Sequence, residues 1–389
     1  MSFLDVLLLI VKCLIVALAA TGLFAYFTLF ERRLLAIMQN RVGPNRAGPN
    51  GFLQPIADAV KLFFKEEVVP LMADRWVYLI SPAFAVIPAI IIWATIPLGF
   101  WPDGRGGNIL QVADINVGIL YLLAITSLGV YGIAIAGWAS NNKYSMLGGV
   151  RASAQVISYE LALGLAALGA VMQAGSFTTS AIVEAQTGLW FVIPQFLGFV
   201  VFVVAATAEV VRAPFDLVEA EQELVGGYNT EYGSMKFALF FMSEYIKLIA
   251  MNAIAVTLYL GGWHFPGLNE NLLTFLQGSL GEMFGSLVFG LLTLGSFMLK
   301  VAALSFVSVW VRATVPRIRY DQLMNLGWKV LMPLALFNVV LTAVVNVLLP
   351  DRLIGGIVGF VVGLVTIIAV ASLTGPKKPK STLTLVKKT

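Results

Sequence analysis

The sequence predicts an all-α membrane protein, a polytopic bundle of about nine transmembrane helices with amphipathic helices in long cytoplasmic loops. Three observations carry this prediction. The chain of 389 residues is 59% hydrophobic and only 12% charged, about half the charged fraction of a soluble domain. Its apolar residues fall into nine runs, most of them near the roughly 20 residues that a helix needs to cross a bilayer core. Lys and Arg residues are abundant in every second loop.

The nine runs are separated by loops of unequal length. Asp5 lies at the start of the first run, no Lys or Arg precedes that run, and the run continues well past the ALA triplet at 17–19. We therefore expect a retained helix and not a cleaved signal peptide. The predicted runs are 3–29, 76–99, 117–139, 154–173, 189–211, 236–263, 284–311, 329–349 and 353–374.

Positive charge is segregated between the two sets of loops. The odd-numbered loops, counted with Lys236 and Lys329 at their borders, and the C-terminal segment hold 20 of the 25 Lys and Arg residues, whereas the even-numbered loops hold two. Because Lys and Arg favour the cytoplasmic side, we expect the N-terminus outside and the C-terminus in the cytoplasm. The chain then divides into one transmembrane domain, 1–374, and a basic cytoplasmic tail, 375–389, which we expect near anionic phospholipid headgroups.

The composition excludes several kinds of cofactor site on this chain. It has one cysteine, Cys13, and one histidine, His264. Iron–sulfur clusters, a haem held by two histidines and a Cys/His zinc site all need more ligands of these types. We predict no metal site, and any fixed redox cofactor would sit on a partner. The net charge of +4 reflects the loop bias, so we expect no nucleic acid partner.

Loop one, residues 30–75, is too long for a simple connection. The triplet Gly-Pro-Asn occurs at 43–45 and again at 48–50, and each copy favours a turn. Phe52, Ile56, Val60 and Phe63 then recur at helical spacing, which predicts an amphipathic helix. Such a helix either lies on the membrane surface or forms the gate for a lipid-like ligand.

Loop five, residues 212–235, is acidic on the side where basic residues are expected. The sequence from 209 to 232 reads EVVRAPFDLVEAEQELVGGYNTEY. On a helix, Asp216, Glu219 and Glu223 would share one face and Glu221 would point elsewhere. Two interpretations stay open: a solvated acidic face, or a carboxylate cluster that holds or passes protons or cations.

Apart from Asp5, Lys236 and Lys329 at the starts of runs, six charged residues lie inside the apolar runs. Each costs about 2.5–3.5 kcal/mol near the centre of a membrane helix, so we expect them to be relieved by partners. Lys247 follows Glu244 by three residues and Arg212 follows Glu209 by three, which predicts two local ion pairs. Glu160 has no such partner and is a candidate proton carrier. The set is Glu160, Glu209, Glu244, Lys12, Lys247 and Lys300.

Four long motifs resemble one known family. They are ERRLLAIMQNRVGPNRAGPNGFLQPIADAVKLFFKE, GWASNNKYSMLGGVRASAQVISYELALGL, RAPFDLVEAEQELVGGYNTEYGSMKFALFFMSEY and VRATVPRIRYDQLMNLGWK. Together they resemble the membrane subunit called H of bacterial respiratory complex I, the NADH-quinone oxidoreductase. The resemblance covers residues 20–350 and implies a multi-pass subunit of the bacterial cell membrane. The mitochondrial form has eight membrane helices, so the ninth run here is a departure.

The resemblance implies a quinone chamber and a proton path at the junction with the peripheral arm. Ubiquinone or menaquinone would be the substrate, and iron–sulfur clusters, FMN and NADH would lie on partner subunits. The partners would be the peripheral-arm quinone-site subunits and the small membrane and antiporter-like subunits. Matching positions for the chamber and gate are Arg32, Arg33, Asp58, Lys61, Arg212, Phe215 and Asp216; for the proton path, Glu160, Glu209, Asp216, Glu219, Glu221, Glu223 and Glu244; for structural basic residues, Lys247, Arg312 and Arg317, with Arg312 and Arg317 bracing the acids of loop one.

Other functional classes remain open on the sequence. The intramembrane acids alone would also suit a secondary cation or proton transporter, although the helices show no internal repeat. A chamber wall without any proton role is a third interpretation. Related subunits of membrane-bound hydrogenases and photosynthetic complexes share parts of these motifs, but the full loop-five motif together with MSEY favours the respiratory form.

Overall fold

The computed structural model describes residues 3–101, 110–218, 221–268, 270–349 and 351–374. Within these ranges the chain is helical and contains no strand. The helices are α1 (Phe3–Met38), α2 (Gln54–Phe64), α3 (Arg75–Ile91), α4 (Gly118–Ala139), α5 (Lys143–Ala174), α6 (Thr179–Glu184), α7 (Phe196–Glu209), α8 (Glu221–Leu224), α9 (Ser234–Tyr259), α10 (Glu270–Leu280), α11 (Glu282–Thr314), α12 (Tyr320–Leu326), α13 (Met332–Leu348) and α14 (Arg352–Thr374).

Eight helices in the described part of the chain are long and apolar enough to cross a membrane. They are α1, α3, α4, α5, α9, α11, the continuous α12–α13 unit and α14, each at one of the predicted runs. The prediction of an all-α polytopic bundle is therefore confirmed. The remaining predicted run, 189–211, forms the shorter apolar helix α7.

Helix α7 is too short to span a bilayer by itself. Its 14 residues give a length of about 21 Å, against a hydrocarbon core of about 30 Å. Residues 191–195 before it form turns. Such irregular backbone is tolerated at membrane depth only where protein covers its polar groups. The Gln186 side chain does so, since its Oε1 accepts hydrogen bonds from the backbone N–H groups of Phe191 at 3.2 Å and Gly261 at 2.9 Å.

The first helix extends beyond its predicted end. It continues from the apolar run through the residues assigned to loop one and ends at Met38, so Arg32 and Arg33 lie on a helix. The Gly-Pro-Asn turns follow, with Gly48 at a φ of +73°. Helix α2 then begins at Gln54, where the amphipathic pattern predicts it. Its C-terminal end is held by Ser234, whose hydroxyl contacts the carbonyl oxygens of Leu62 at 3.0 Å and Lys65 at 2.8 Å.

The acidic loop is mostly not helical, so the predicted acidic helix face is wrong. The chain forms turns and bends from 211 to 218, and in the described residues between there and α9 the α-helical segment is Glu221–Leu224. Pro214 removes a backbone donor, and the side chains of Phe215, Leu217 and Val218 are buried instead of following a surface helix. Asp216 and Glu223 therefore do not share a helical face.

Helix α14 lies on the short α7 through its small residues. A Cβ atom at Gly359 would come within 2.5 Å of the Pro194 carbonyl oxygen, and one at Gly363 within 3.2 Å of Leu197. The close approach covers the turn before α7. The basic tail, 375–389, lies outside the described residues.

Close packing of α5 against the acidic loop gives a testable consequence. A Cβ at Gly148 would meet backbone atoms of Gly227 and Tyr228 at 2.7–2.9 Å, whereas one at Gly164 of the same helix would meet only a Leu123 methyl at 3.7 Å. We expect Gly148→Ala to destabilise the protein by about 1–3 kcal/mol, because backbone cannot yield as a side chain can. Gly164→Ala is the matched control. The readout is the temperature at which the purified assembly loses this chain, and equal temperatures for the two variants would contradict the packing.

Candidate functional site

Four charged side chains meet inside the bundle, near the helix ends that adjoin loops one and five. We call Glu31, Arg212, Glu244 and Arg312 the inner ion cluster. Nη1 of Arg212 lies 3.4 Å from Oε1 of Glu31, and its Nε pairs with Oε1 of Glu244. Nη1 of Arg312 pairs with the same Glu31 oxygen. Glu31 is 3% exposed and Arg212 is 7% exposed, so water screens these charges only weakly.

The environment of Arg212 keeps its guanidinium charged. Burial alone lowers the pKa of this group, but Glu244, Tyr245 and Glu31 outweigh burial and raise it above its ordinary value. The carbon of the guanidinium lies 3.8 Å from the centroid of the Tyr245 ring, a cation–π contact. Two guanidinium groups face two carboxylates, so with all four groups ionised the cluster as a whole is electrically balanced.

A second buried pair lies deeper in the bundle. Nζ of Lys247 is 2.9 Å from Oε1 of Glu209, and Glu209 is 1% exposed. Glu160 faces both of these residues and forms a hydrogen bond with Ser127. Lys247 therefore lies close to two carboxylates from two other helices.

The two predicted local ion pairs are wrong. Lys247 pairs with Glu209 and not with Glu244, while Glu244 pairs with Arg212. The chain turns at Val211, where φ is +60°, and this turn directs Arg212 toward α1 and α9. Spacing of three residues permits a pair on one helix, but a buried charge gains more from a partner on a neighbouring helix that is equally shielded from water.

A small cavity joins the inner ion cluster to the deeper pair. Its volume is about 50 Å³, and its walls include Glu209, Ser243, Glu244 and Lys247 together with Tyr228. This volume is large enough to hold water. We call it the axial cavity. Most of its other lining residues are apolar, and the charged and hydroxyl-bearing side chains on its wall offer hydrogen-bond partners for ordered water.

The predicted gate residues lie together beside α1. Nη1 of Arg32 is 2.6 Å from Oδ2 of Asp58, and Gln54 donates to the other oxygen of that carboxylate at 3.0 Å. Arg33 donates to the carbonyl oxygen of Asn50, and Lys61 lies exposed on α2. Next to them an open groove of about 310 Å³ is lined by Tyr26, Leu29, Phe30, Arg33, Leu34, Ile37 and Phe52.

The structured part of the acidic loop is fixed to α5. Nε2 of Gln155 donates to the carbonyl oxygens of Ala208 at 2.8 Å and Phe215 at 2.9 Å. This bridge holds the end of α7 against the turn that carries Arg212 and Phe215. Asp216 is half-buried next to them. The positions of these residues relative to one another are therefore set by a buried amide.

Glu223 of loop five pairs with an arginine of α5. Glu223 is exposed and lies 2.7 Å from Nη1 of Arg151. Hydrogen bonding to Arg151, with Arg317 and Arg319 nearby, lowers the pKa of Glu223 below its ordinary value. Arg317 thus interacts with loop five, whereas Arg312 contacts Glu31 at the start of loop one. Glu219 lies outside the described residues, and so does the side chain of Glu221.

Sequence reasoning missed three residues of this site. Glu31 bridges Arg212 and Arg312, and it was not singled out because it follows the first apolar run. Gln155 and Ser127 are neutral and carry no charge signal. A search for polar residues just past the end of each run would have found Glu31. In the described residues no group of three or more His, Cys, Asp or Glu side chains is placed to hold a metal ion.

The fold and the site together define a multi-pass helical membrane protein with a charged interior on one side of the bundle. The NADH dehydrogenase family model matches residues 11–343. The H subunit of the NADH-quinone oxidoreductase of Rhodospirillum rubrum is 49% identical over 339 residues, 87% of this chain and 93% of that protein. One of the H subunits of the corresponding enzymes of Geobacter metallireducens is 47% identical over 340 residues, covering 87% and 96%.

The chain belongs to the family formed by the H subunits of NADH-quinone oxidoreductase. It is therefore a membrane subunit of a multi-subunit oxidoreductase, respiratory complex I. Helix α14 lies beyond the region that the family model matches. The match includes all four residues of the inner ion cluster.

Removal of Arg212 should be far more damaging than removal of Arg32. Arg212→Met leaves Glu31 and Glu244 with less compensation in a buried place, which costs about 3–5 kcal/mol. Arg32→Met breaks a pair whose arginine side chain is 50% exposed, which costs at most about 1 kcal/mol. Thermal dissociation of the purified complex measures both. Similar losses of stability in the two variants would contradict a buried, tightly coupled cluster.

Proposed function

We propose that this chain forms the quinone chamber and its access from the bilayer, and that it couples quinone reduction to proton translocation. The observation that carries the proposal is the axial cavity, which links the inner ion cluster to Glu209, Lys247 and the nearby Glu160. Buried ionisable groups in a membrane domain are costly, and they are candidates for a pathway or a site by default. Here they are contiguous and not scattered.

The gate would lie between α1 and α2. The groove beside Arg33 has apolar walls, with Tyr26 and Phe52 in ring contact at 4.8 Å, which suits the isoprenoid tail of a quinone. Arg32, Asp58 and Lys61 surround it with polar groups at the membrane surface. The headgroup would then reach the region of Arg212, Phe215 and Asp216, where clusters on the peripheral-arm subunits supply electrons originating from NADH and FMN.

Reduction would act on the carboxylates through charge. Two electrons placed on a quinone near the inner ion cluster add negative charge until two protons follow. A charge at 4 Å interacts by about 4 kcal/mol at an effective dielectric of 20, which is more than one pKa unit. The affinity of neighbouring acids for protons rises accordingly, so Glu244 and Asp216 would take up protons from the cytoplasmic side.

Lys247 would relay the change to Glu160. While Glu209 is ionised, Lys247 is held by it at 2.9 Å. A proton reaching Glu209 through the axial cavity removes that attraction, and the ammonium group can then turn to Glu160, which it already faces. The charge state of Glu160 would in turn act on the small membrane and antiporter-like subunits beside this one. The loop charges support a cytoplasmic position for the inner ion cluster and the C-terminus, with the N-terminus outside.

Isosteric neutral variants test this function. We expect Glu209→Gln and Glu160→Gln, in the assembled complex reconstituted in liposomes, to lower the number of protons moved per electron, because neither amide can carry a proton. Quinone reduction and proton uptake are measured in the same preparation. Glu184→Gln, at an exposed position at the end of α6, is the matched control. Unchanged stoichiometry and turnover in a variant would remove that residue from the path.

A further inference from the structure

A small apolar gap lies beside the axial cavity. This gap, of about 10 Å³, is lined by residues of α4, α5, α7 and α9. We call it the dry gap. Thr126 borders both this gap and the axial cavity, so the two spaces follow each other along the bundle. The residues that line the gap are Ile119, Leu122, Leu123, Thr126, Leu163, Ala167, Phe202, Met251, Ile254 and Leu258.

The lining offers nothing that would hold water. Apart from Thr126, the described residues that line the gap have apolar side chains. The Thr126 hydroxyl donates to the carbonyl oxygen of Leu123 at 2.8 Å, so its proton is already used within α4. Leu163, Phe202 and Met251 are each at most 2% exposed. A space at the lower size limit for one water molecule stays empty when its walls are apolar, because a water there would lack hydrogen-bond partners.

The gap lies one turn beyond the proton-handling groups. Leu163 follows Glu160 by three residues on α5, about 4.5 Å along the helix, and Met251 follows Lys247 by four on α9, about 6 Å. Both helices run away from the cytoplasm in the proposed orientation. Thr126 to Ile119, at the outer end of α4, adds about 10 Å of apolar lining.

We propose that the dry gap is a proton seal, which prevents protons in the axial cavity from crossing this chain to the outside. A proton can move through protein only along water or titratable groups, and an apolar constriction that excludes water interrupts both. Protons that reach Glu160 are then blocked along this gap and would leave sideways. The proposal rests on the proposed proton role of the axial cavity. It assigns a function to three apolar residues, Leu163, Phe202 and Met251.

Near-isosteric polar substitutions test the seal. Met251→Gln and Leu163→Asn each bring hydrogen-bonding atoms into the gap with little change in volume, and Met251→Leu and Leu163→Ala are their apolar controls. The complex is reconstituted in liposomes without NADH, and proton flux is followed with an internal pH dye under a potassium diffusion potential. We expect passive proton conductance to rise at least about threefold in the polar variants and to stay at the wild-type level in the controls.

The possible results separate polarity from loosened packing. The seal is overturned if a polar variant that assembles is as proton-tight as wild type, or if Leu163→Ala leaks as much as Leu163→Asn. The two polar positions lie on different helices, so assembly of one variant is enough for the test, and quinone reduction in that variant checks that the complex is intact. The leak is measured without turnover, so it is independent of the proton stoichiometry. A leak in the polar gap variants would support the seal even if Glu209→Gln left the stoichiometry unchanged, a result that would reject the proposed path.

Discussion

The burial of one guanidinium group sets much of this structure. Arg212 lies where water cannot solvate it, so its charge has to be met by protein, and two carboxylates and an aromatic ring from two different helices do so. Glu31 comes from the extended end of α1 and Glu244 from α9. The two helices must therefore be aligned so that both carboxylates lie beside the Arg212 guanidinium. An ion cluster of this kind contributes little net stability, because desolvation consumes most of the attraction, but a missing member is costly. It therefore fixes register more than it strengthens the fold.

The same constraint explains why α7 ends where it does. The chain must leave the helix at Glu209, turn at Val211 and present Arg212 to α1 and α9. Gln155 holds that turn by bridging the last turn of α7 and the Phe215 carbonyl. A longer α7 would carry Arg212 round the helix and away from its partners. The helix is short because the site requires it to end, and α14 together with Gln186 covers the irregular backbone at its other end.

Most of the fold could be predicted from hydropathy, because a bilayer demands long apolar segments whatever their partners. Less of the site could be predicted, because spacing along one helix does not reveal which neighbour faces it. Lys247 is three residues from Glu244, yet it contacts Glu209 on α7. Glu31 could not be singled out from hydropathy, because the first apolar run ends before helix α1 does. The prediction of an acidic helix face was wrong for another reason. Burial of Phe215, Leu217 and Val218 outweighed the local helix preference of this short loop.

The arrangement of charge along the bundle is consistent with a chain that is one subunit of a complex. Its inner half holds ion pairs and a hydratable cavity, while the dry gap along the same helices is apolar. A protein built in this way can change the protonation of Glu160, but the residues that line the dry gap offer no polar path onward to the opposite face. On the proposed proton path, transport across the membrane would then be completed by a neighbouring subunit. The interior has polar groups around the axial cavity and apolar side chains around the dry gap. With the proposed quinone chemistry, this division favours energy transfer to an adjacent subunit.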